Sequence, residues 1–192
     1  MPRVRSDADV LNASLAATWE IAASGGSASV AELAHAAGIS IRTFHRMFPR
    51  KEDCLRPALA DARRVLIATF VADRGPGAWV RAFGVAAGGA FAERTRRLLP
   101  VIADDPQMAA VWDHELTLGR TDIAEALRER GDEVDPSRAL THATVLLALT
   151  HLALADAASG GIDPVAALER RLREAGEMVF DHLPPLTTKE SS

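Results

Sequence analysis

The sequence has little of what disulfide-stabilised, secreted and membrane-spanning proteins depend on. Its 192 residues contain one cysteine, Cys54, so no intrachain disulfide can form. No uninterrupted apolar run approaches the ~18 residues that a membrane-spanning helix needs. The start of the chain lacks the basic, apolar and small-residue succession of a secretory signal. We therefore expect a cytoplasmic protein that makes no membrane contact.

Neither sign of charge dominates the chain. The formal net charge is −4, which argues against a protein that binds nucleic acid by bulk positive charge alone. Residues 1–60 nevertheless carry seven lysines and arginines against six acidic residues, and the basic ones cluster between positions 42 and 56. A local basic face is therefore expected on an otherwise acidic protein.

Apolar residues recur at helical spacing along most of the chain, and no segment shows the strict alternation of a half-buried strand. Glycines and prolines divide this pattern into about nine helices, so we predict an all-α fold. The longer helices are expected over residues 51–73, 78–103, 106–131, 137–159 and 164–183. Pro100 is expected to kink or divide the second of these.

Two short helices with a tight turn between them are predicted over residues 30–37 and 40–47. Gly38 lies in the turn, where a sharp helix end needs a positive φ. Ser29 precedes the first helix with Glu32 three residues on, which is the capping-box pattern. Ser40 is placed to cap the second helix. This arrangement is the helix-turn-helix, whose second helix enters the DNA major groove.

The second helix has two chemically different sets of residues. Its apolar set recurs at helical spacing and comprises Ile41, Phe44, Met47 and Phe48. Its polar set comprises Arg42, Thr43, His45 and Arg46. Arginine can form two hydrogen bonds with guanine, and threonine can contact the thymine methyl group, so this polar set suits a DNA groove. A solvated helix face is the plainer interpretation of the same pattern.

The segment resembles the DNA-binding domain of the tetracycline-repressor (TetR) family of bacterial transcription regulators. The match covers about residues 10–60. It is carried, in the family's order and spacing, by Ala34, Ala37, Gly38, Ile39, Ser40, Thr43, Phe44, Phe48, Lys51, Glu52 and Leu55. Residues 61–192 agree with the family only in the number and length of their helices.

The resemblance implies a homodimeric repressor that binds a palindromic operator in double-stranded DNA and is released by a small, largely apolar effector. It implies a helix-turn-helix domain over residues 1–50, a helical ligand-binding and dimerisation domain over residues 51–186 and a disordered tail over residues 187–192. No enzymatic activity and no cofactor are expected. The alternatives are an all-helical enzyme or a dimerisation scaffold that carries a helix-turn-helix, and no nucleophile motif or phosphate loop supports the enzyme.

The resemblance also implies which residues contact DNA, either at base edges or at phosphates. These are Ser29, Ser40, Arg42, Thr43, His45, Arg46 and Lys51. His45 stands where the family usually has tyrosine, at a phosphate-contacting position. A histidine there is expected to bind phosphate more weakly when neutral and to make the contact pH-dependent.

Large apolar side chains lie beside glycines and alanines in the middle helices, which is the character of either a ligand pocket or an ordinary core. The candidate pocket residues are Phe70, Trp79, Phe83, Phe91, Met108, Trp112, Leu116 and His142.

The helix over residues 137–159 is apolar nearly all round, so we expect a partner subunit to cover one side. With the last helix it would form half of a four-helix bundle. The candidate interface residues are Leu147, His151, Leu154, Leu168, Leu172 and Val179.

Two further features are weaker signs of chemistry. Asp113, His114 and Glu115 resemble a metal set, but adjacent residues on a helix point in different directions, so we expect no metal site. Cys54 lies near Lys51, which could lower its pKa and favour a reactive thiolate, whereas a lone cysteine also serves as a small apolar core filler. We prefer the core filler.

Overall fold

The computed structural model describes the backbone of residues 6–88 and 90–182, and the side chains of residues 6–88 and 93–176. Within these ranges the chain forms nine α-helices and no strand, which confirms the all-α prediction. The helices are α1 (Asp7–Ala23), α2 (Val30–Ala36), α3 (Ile41–Met47), α4 (Leu55–Ala72), α5 (Ala78–Ala86), α6 (Ala90–Asp104), α7 (Pro106–Arg130), α8 (Pro136–Gly160) and α9 (Pro164–His182). A 3-10 turn, Lys51–Cys54, precedes α4. The predicted tail over residues 187–192 lies outside the described residues.

Side-chain caps set several of the helix starts. The Ser29 hydroxyl accepts a hydrogen bond from the Glu32 amide, and the Glu32 carboxylate accepts one of 2.7 Å from the Ser29 amide. At the start of α7 the Asp105 carboxylate accepts from the Gln107 amide at 2.8 Å, with proline at the first helical position. These caps pair amides that have no partner within the helix.

Two helix boundaries differ from the prediction. The expected single helix over residues 78–103 is interrupted after Ala86 and resumes at Ala90, whereas Pro100 lies inside α6 and does not divide it. A Cβ atom at Gly88 would lie 2.9 Å from the Gly84 carbonyl oxygen, so the backbone at this break approaches the preceding turn closely. The expected helix from residue 51 starts with the 3-10 turn and becomes α-helical only at Leu55.

The buried apolar residues form two clusters. The first joins α1, α2, α3 and the start of α4 to residues of α6 and α7, such as Leu98, Ile102, Met108 and Val111. The second joins the end of α4 to α5, α7, α8 and α9. The first cluster is therefore not confined to residues 1–50, because α6 and α7 supply part of the core on which the helix-turn-helix rests.

A buried serine ties α1 to the start of α4. Ser14 is fully buried, and its hydroxyl donates to the Cys54 carbonyl at 2.5 Å while accepting from the Ala58 amide at 3.0 Å. In a regular α-helix these two backbone groups would bond to each other. The Ser14 hydroxyl is inserted between them, so α1 and the first turn of α4 are held as one unit.

Helix α8 is the most apolar of the long helices. It packs against α6, α7 and α9. Among the described helices, it alone is long and apolar enough to cross a membrane by length and composition. Within its most apolar part, 22% of the residues are buried in the protomer. Core helices of soluble proteins meet the same criterion. Much of its apolar surface is therefore available for contacts beyond the protomer core.

Candidate nucleic-acid interface and ligand cavity

The turn between α2 and α3 has the geometry of a helix-turn-helix. Gly38 has φ +64°, a left-handed conformation that favours glycine. The Ile39 amide donates to the Ala34 carbonyl at 2.9 Å, which closes the end of α2. The Ser40 hydroxyl then accepts from the Thr43 amide at 3.2 Å and caps α3. Four residues therefore separate α2 from the second short helix.

Helix α3 is anchored by two phenylalanines. Phe44 is fully buried and Phe48 is 1% exposed. Their rings meet edge to face with centroids 5.0 Å apart. The sequence pattern placed Ile41 in the same apolar set as the two phenylalanines. In the structure Ile41 is the first residue of α3 and lies on its outer side, so it is 49% exposed.

The polar residues of α3 lie together on its outer side. Arg42, His45 and Arg46 are exposed, and Thr43 is half-buried beside the cap. Ser40 is exposed at the helix start. The structure therefore brings the predicted base-reading residues to one surface. Whether that surface contacts DNA stays a prediction.

The two remaining DNA-contact candidates are already engaged within the protein. The Lys51 ammonium donates to the Gly26 carbonyl at 2.9 Å, which ties the chain after α3 to the loop before α2. The Ser29 hydroxyl donates to the Glu32 carboxylate at 2.7 Å. Hydrogen bonds from the Ser29 backbone and hydroxyl lower the pKa of Glu32. A phosphate at Ser29 would meet this carboxylate, so Ser29 is the least suited of the predicted contacts.

Cys54 is a core residue. It is fully buried in the first apolar cluster. Burial raises the pKa of its thiol to about 12, and the neighbouring Glu52 carboxylate acts in the same direction. The proximity of Lys51 does not outweigh these effects, so the structure favours the core filler over the reactive thiolate.

We expect Cys54 to resist alkylation in the native protein. With a pKa of about 12, roughly one thiol in 10,000 is ionised at pH 8. The rate of iodoacetamide labelling at pH 8, followed by mass spectrometry, should be negligible in buffer and normal in 6 M guanidinium. Rapid labelling of the native protein would show that the thiol is accessible and would contradict this placement.

An apolar cavity of about 110 Å³ lies between α4, α5, α7 and α8. Three of the predicted pocket residues, Phe83, Trp112 and Leu116, line it. Its other walls are Leu59, Ala62, Arg63, Leu66, Ala86, Ala87, Glu115, Gly119, Ile123, Leu147, Thr150, His151 and Leu154. The middle helices therefore line a mainly apolar space, with Arg63 and Glu115 as the charged residues on its wall.

The other pocket candidates lie elsewhere. Phe70 and Trp79 meet edge to face at 5.2 Å within the second apolar cluster, so they fill core. Met108 is fully buried in the first cluster. His142 is half-exposed on α8, with its Nδ1 atom 3.9 Å from a Glu133 carboxylate oxygen. The side chain of Phe91 lies outside the described residues. Helical spacing alone could not distinguish the residues that fill the core from those that line the cavity.

The charged wall of the cavity was missed by the sequence reasoning. Glu115 is 9% exposed, and its carboxylate accepts from the Arg63 guanidinium at 2.6 Å. Arg63 also contacts Asp122 at 2.8 Å, and Arg56 lies 3.6 Å from the second oxygen of Glu115. The sequence did contain a sign of this charged wall. Glu115 lies on the apolar side of α7, one helical turn from both Trp112 and Gly119.

Charged contacts continue from this wall towards the helix-turn-helix. Arg56 also contacts the Asp53 carboxylate, at 3.3 Å. Asp53 in turn contacts the Arg50 guanidinium at 3.2 Å and accepts from the Arg50 amide at 3.1 Å. Arg50 follows the end of α3 by three residues. The cavity wall and the segment after α3 are therefore linked through the start of α4.

Five of the six predicted interface residues contact other helices of their own protomer. Leu147, His151 and Leu154 line the cavity. Leu168 is fully buried in the second cluster, and Leu172 packs against that cluster. The side chain of Val179 lies outside the described residues. Because α8 is apolar nearly all round, its sequence could not distinguish the inward from the outward side.

A different side of α8 forms an exposed stripe. Its residues follow one another at spacings of four and three, and they are Thr141, Val145, Ala148, Leu152 and Ala155. Val145 and Leu152 are 49% and 47% exposed. We call these five residues the α8 stripe. Its spacing is that of a helix seam that packs against another helix.

No group of three or more potential metal ligands occurs among the described residues. A comparison of the chain with models of known protein families gives no match. A comparison with curated proteins gives no match at a significant level. The family resemblance therefore rests on the residues of the helix-turn-helix segment and stays a prediction.

Proposed function

We propose that this protein is a sequence-specific DNA-binding transcription regulator, a repressor that acts as a homodimer and responds to a small apolar ligand. One observation carries the proposal. A glycine turn of helix-turn-helix geometry presents a short helix whose buried side is fixed by Phe44 and Phe48 and whose exposed side carries Arg42 and Arg46. That combination of rigid support and outward arginines suits insertion into a major groove.

A dimer is supported by the α8 stripe. Two copies of α8 that pack stripe to stripe about a two-fold axis would cover apolar surface that one protomer leaves exposed. The dimer would place two α3 helices on one face, about one helical turn of DNA (~34–36 Å) or a multiple of it apart. The DNA site should therefore be an inverted repeat.

Ligand response is supported by the position of α4. Its middle residues Leu59, Ala62 and Leu66 line the cavity, and its start carries the Arg56–Asp53 contact near the recognition helix. A ligand that fits one arrangement of α4 better than another would shift the population towards that arrangement. In the proposed mechanism, the arrangement that the ligand favours changes the distance between the two α3 helices of the dimer. The two helices then no longer fit both half-sites of the DNA.

Selection from random duplex DNA tests the proposal. Several rounds of binding to the full-length protein should enrich one inverted repeat with two equal half-sites. Enrichment of a single unpaired motif would contradict the dimeric mode. A pool that stays random after repeated rounds would contradict sequence-specific binding.

Leu152→Ala tests the dimer surface. The change removes buried apolar area from both sides of a two-fold interface, at about 1–2 kcal/mol in total, so the dimer dissociation constant should rise about tenfold. Analytical ultracentrifugation over a dilution series measures it. Leu140→Ala is the matched control, since Leu140 is 43% exposed on the same helix but lies about a quarter-turn from the stripe. Equal dissociation constants for the two variants would place the interface elsewhere.

A further inference from the structure

A surface groove of about 260 Å³ lies between α7 and α8, on the outer side of the apolar cavity. Leu116, Leu147 and His151 line both the groove and the cavity. All three side chains are half-buried. The two spaces are therefore neighbours that share one wall, and a molecule that passes between these side chains occupies both.

The charged groups of the cavity itself are already paired. The Arg63 guanidinium contacts Glu115 at 2.6 Å and Asp122 at 2.8 Å. The second carboxylate oxygen of Glu115 lies 3.6 Å from Arg56. An ionised group placed among them would lose its hydration without gaining a free counter-charge. The cavity therefore suits the uncharged, apolar part of a ligand.

The groove carries a positive charge that the protein does not compensate. Arg120 is exposed on its α7 side, and no aspartate or glutamate is among the described residues that line it. Arg120 forms no ion pair or side-chain hydrogen bond with another described residue. Its neighbours one turn away on α7 have no carboxylate either, and they are Leu116, Thr117, Ile123 and Ala124. The groove therefore favours an anion.

Arg120 is close in the chain to the cavity wall. It follows Gly119 directly and lies one helical turn after Leu116, and both of these residues line the cavity. Side chains four positions apart on a helix have their Cβ atoms about 5–6 Å apart. A guanidinium can form two parallel hydrogen bonds with one carboxylate. A short ligand can therefore place an apolar group in the cavity and a carboxylate beside Arg120.

We propose that the effector is an organic acid whose apolar group fills the cavity and whose carboxylate pairs with Arg120 in the groove between α7 and α8. This inference deepens the proposed function and rests on it, because it names the ligand class of the same cavity. Ala148 belongs to both the groove and the α8 stripe. A partner subunit docked on the stripe would narrow the groove and strengthen the pair by excluding water.

Sodium 3-phenylpropanoate and its neutral counterpart 3-phenylpropan-1-ol test the ligand class. A phenyl ring is a suitable probe because an apolar cavity of about 150 Å³ binds benzene. Ligand-observed NMR titrations of the full-length protein at pH 7.5 measure both dissociation constants. The acid should bind about five- to tenfold more tightly than the alcohol. Raising the salt concentration to 0.5 M should weaken binding of the acid alone.

Arg120→Gln should remove the preference for the acid and leave the affinity for the alcohol unchanged. Arg128→Gln is the matched control, since Arg128 is exposed on the same helix two turns further on and lines neither space. It should leave both affinities unchanged. Ala62→Leu, which narrows the cavity from α4, should weaken both ligands. Sodium acetate has the carboxylate without the apolar group, so it should bind at least 100-fold more weakly than the phenyl acid.

Equal affinities for the acid and the alcohol, no binding of the acid, or an unchanged preference in Arg120→Gln would overturn the inference. Acetate binding as tight as that of the phenyl acid would also overturn it, because the cavity would then contribute nothing. The DNA selection is performed without ligand. If an inverted repeat is recovered while the acid fails to bind, only the ligand inference falls.

Discussion

Replacing both Arg42 and Arg46 with alanine is expected to lower the affinity for the selected DNA site by about 1–3 kcal/mol for each arginine. Both guanidinium groups lie on the exposed side of α3, where they can reach base edges or phosphates. Fluorescence anisotropy with the inverted repeat at fixed salt measures the loss. Titrations of the single variants against randomised positions distinguish base contacts, which relax specificity, from phosphate contacts, which weaken all sequences alike.

Arg138→Ala is the control for the loss of positive charge. Arg138 is also exposed, but it lies in the first turn of α8, remote in the chain from the helix-turn-helix, and pairs with Glu133. Its removal changes the net charge by the same amount as one α3 arginine and should barely change DNA affinity. If Arg138→Ala weakened binding as much as Arg42→Ala, the effect would reflect overall charge and not the α3 surface.

Phe44→Ala is expected to destabilise the protein by about 3–5 kcal/mol, the usual range when a fully buried phenylalanine leaves a cavity. Phe44 is fully buried in the first apolar cluster and packs edge to face on Phe48. Chemical denaturation followed by circular dichroism measures the free energy of unfolding. The loss should also uncouple α3 from its support, so DNA binding should fall under conditions in which the remaining helices stay folded.

Ile41→Ala is the matched control on the same helix. Ile41 is 49% exposed, so its truncation should cost less than about 1 kcal/mol. The two residues are three positions apart and both apolar, so they differ chiefly in burial. Similar losses of stability in the two variants would contradict the structure, in which α3 buries Phe44 and exposes Ile41.

Local features of the sequence were sufficient to predict most of the helix boundaries. The Ser29–Glu32 capping box, the Ser40 cap and the positive φ of Gly38 depend on residues within four positions of each other, and the structure has all three. The break between α5 and α6 was harder to predict, because Gly88 interrupts a helical pattern without a proline or a capping side chain. At this break the backbone of Gly88 lies close to the Gly84 carbonyl oxygen, which periodicity does not reveal.

The features that were missed depend on contacts between distant residues. Ser14 enters the first turn of α4 from 40 positions away, and nothing in its local sequence distinguishes it from a surface serine. The pairing of Arg63 with Glu115 spans 52 positions. The orientation of α8 was not predictable either, because Leu147 and Leu152 are equally apolar and only the packed fold turns one inwards and the other outwards.

Hydroxyl-radical footprinting of the protein on its selected DNA site tests the central claim most directly. The account predicts two regions of protected backbone related by two-fold symmetry, with their centres about one helical turn or a multiple of it apart. The Arg42→Ala and Arg46→Ala double variant should lose both regions together at protein concentrations that saturate the wild type. A footprint without symmetry, or protection that the double variant retains unchanged, would contradict a dimer that reads DNA through α3.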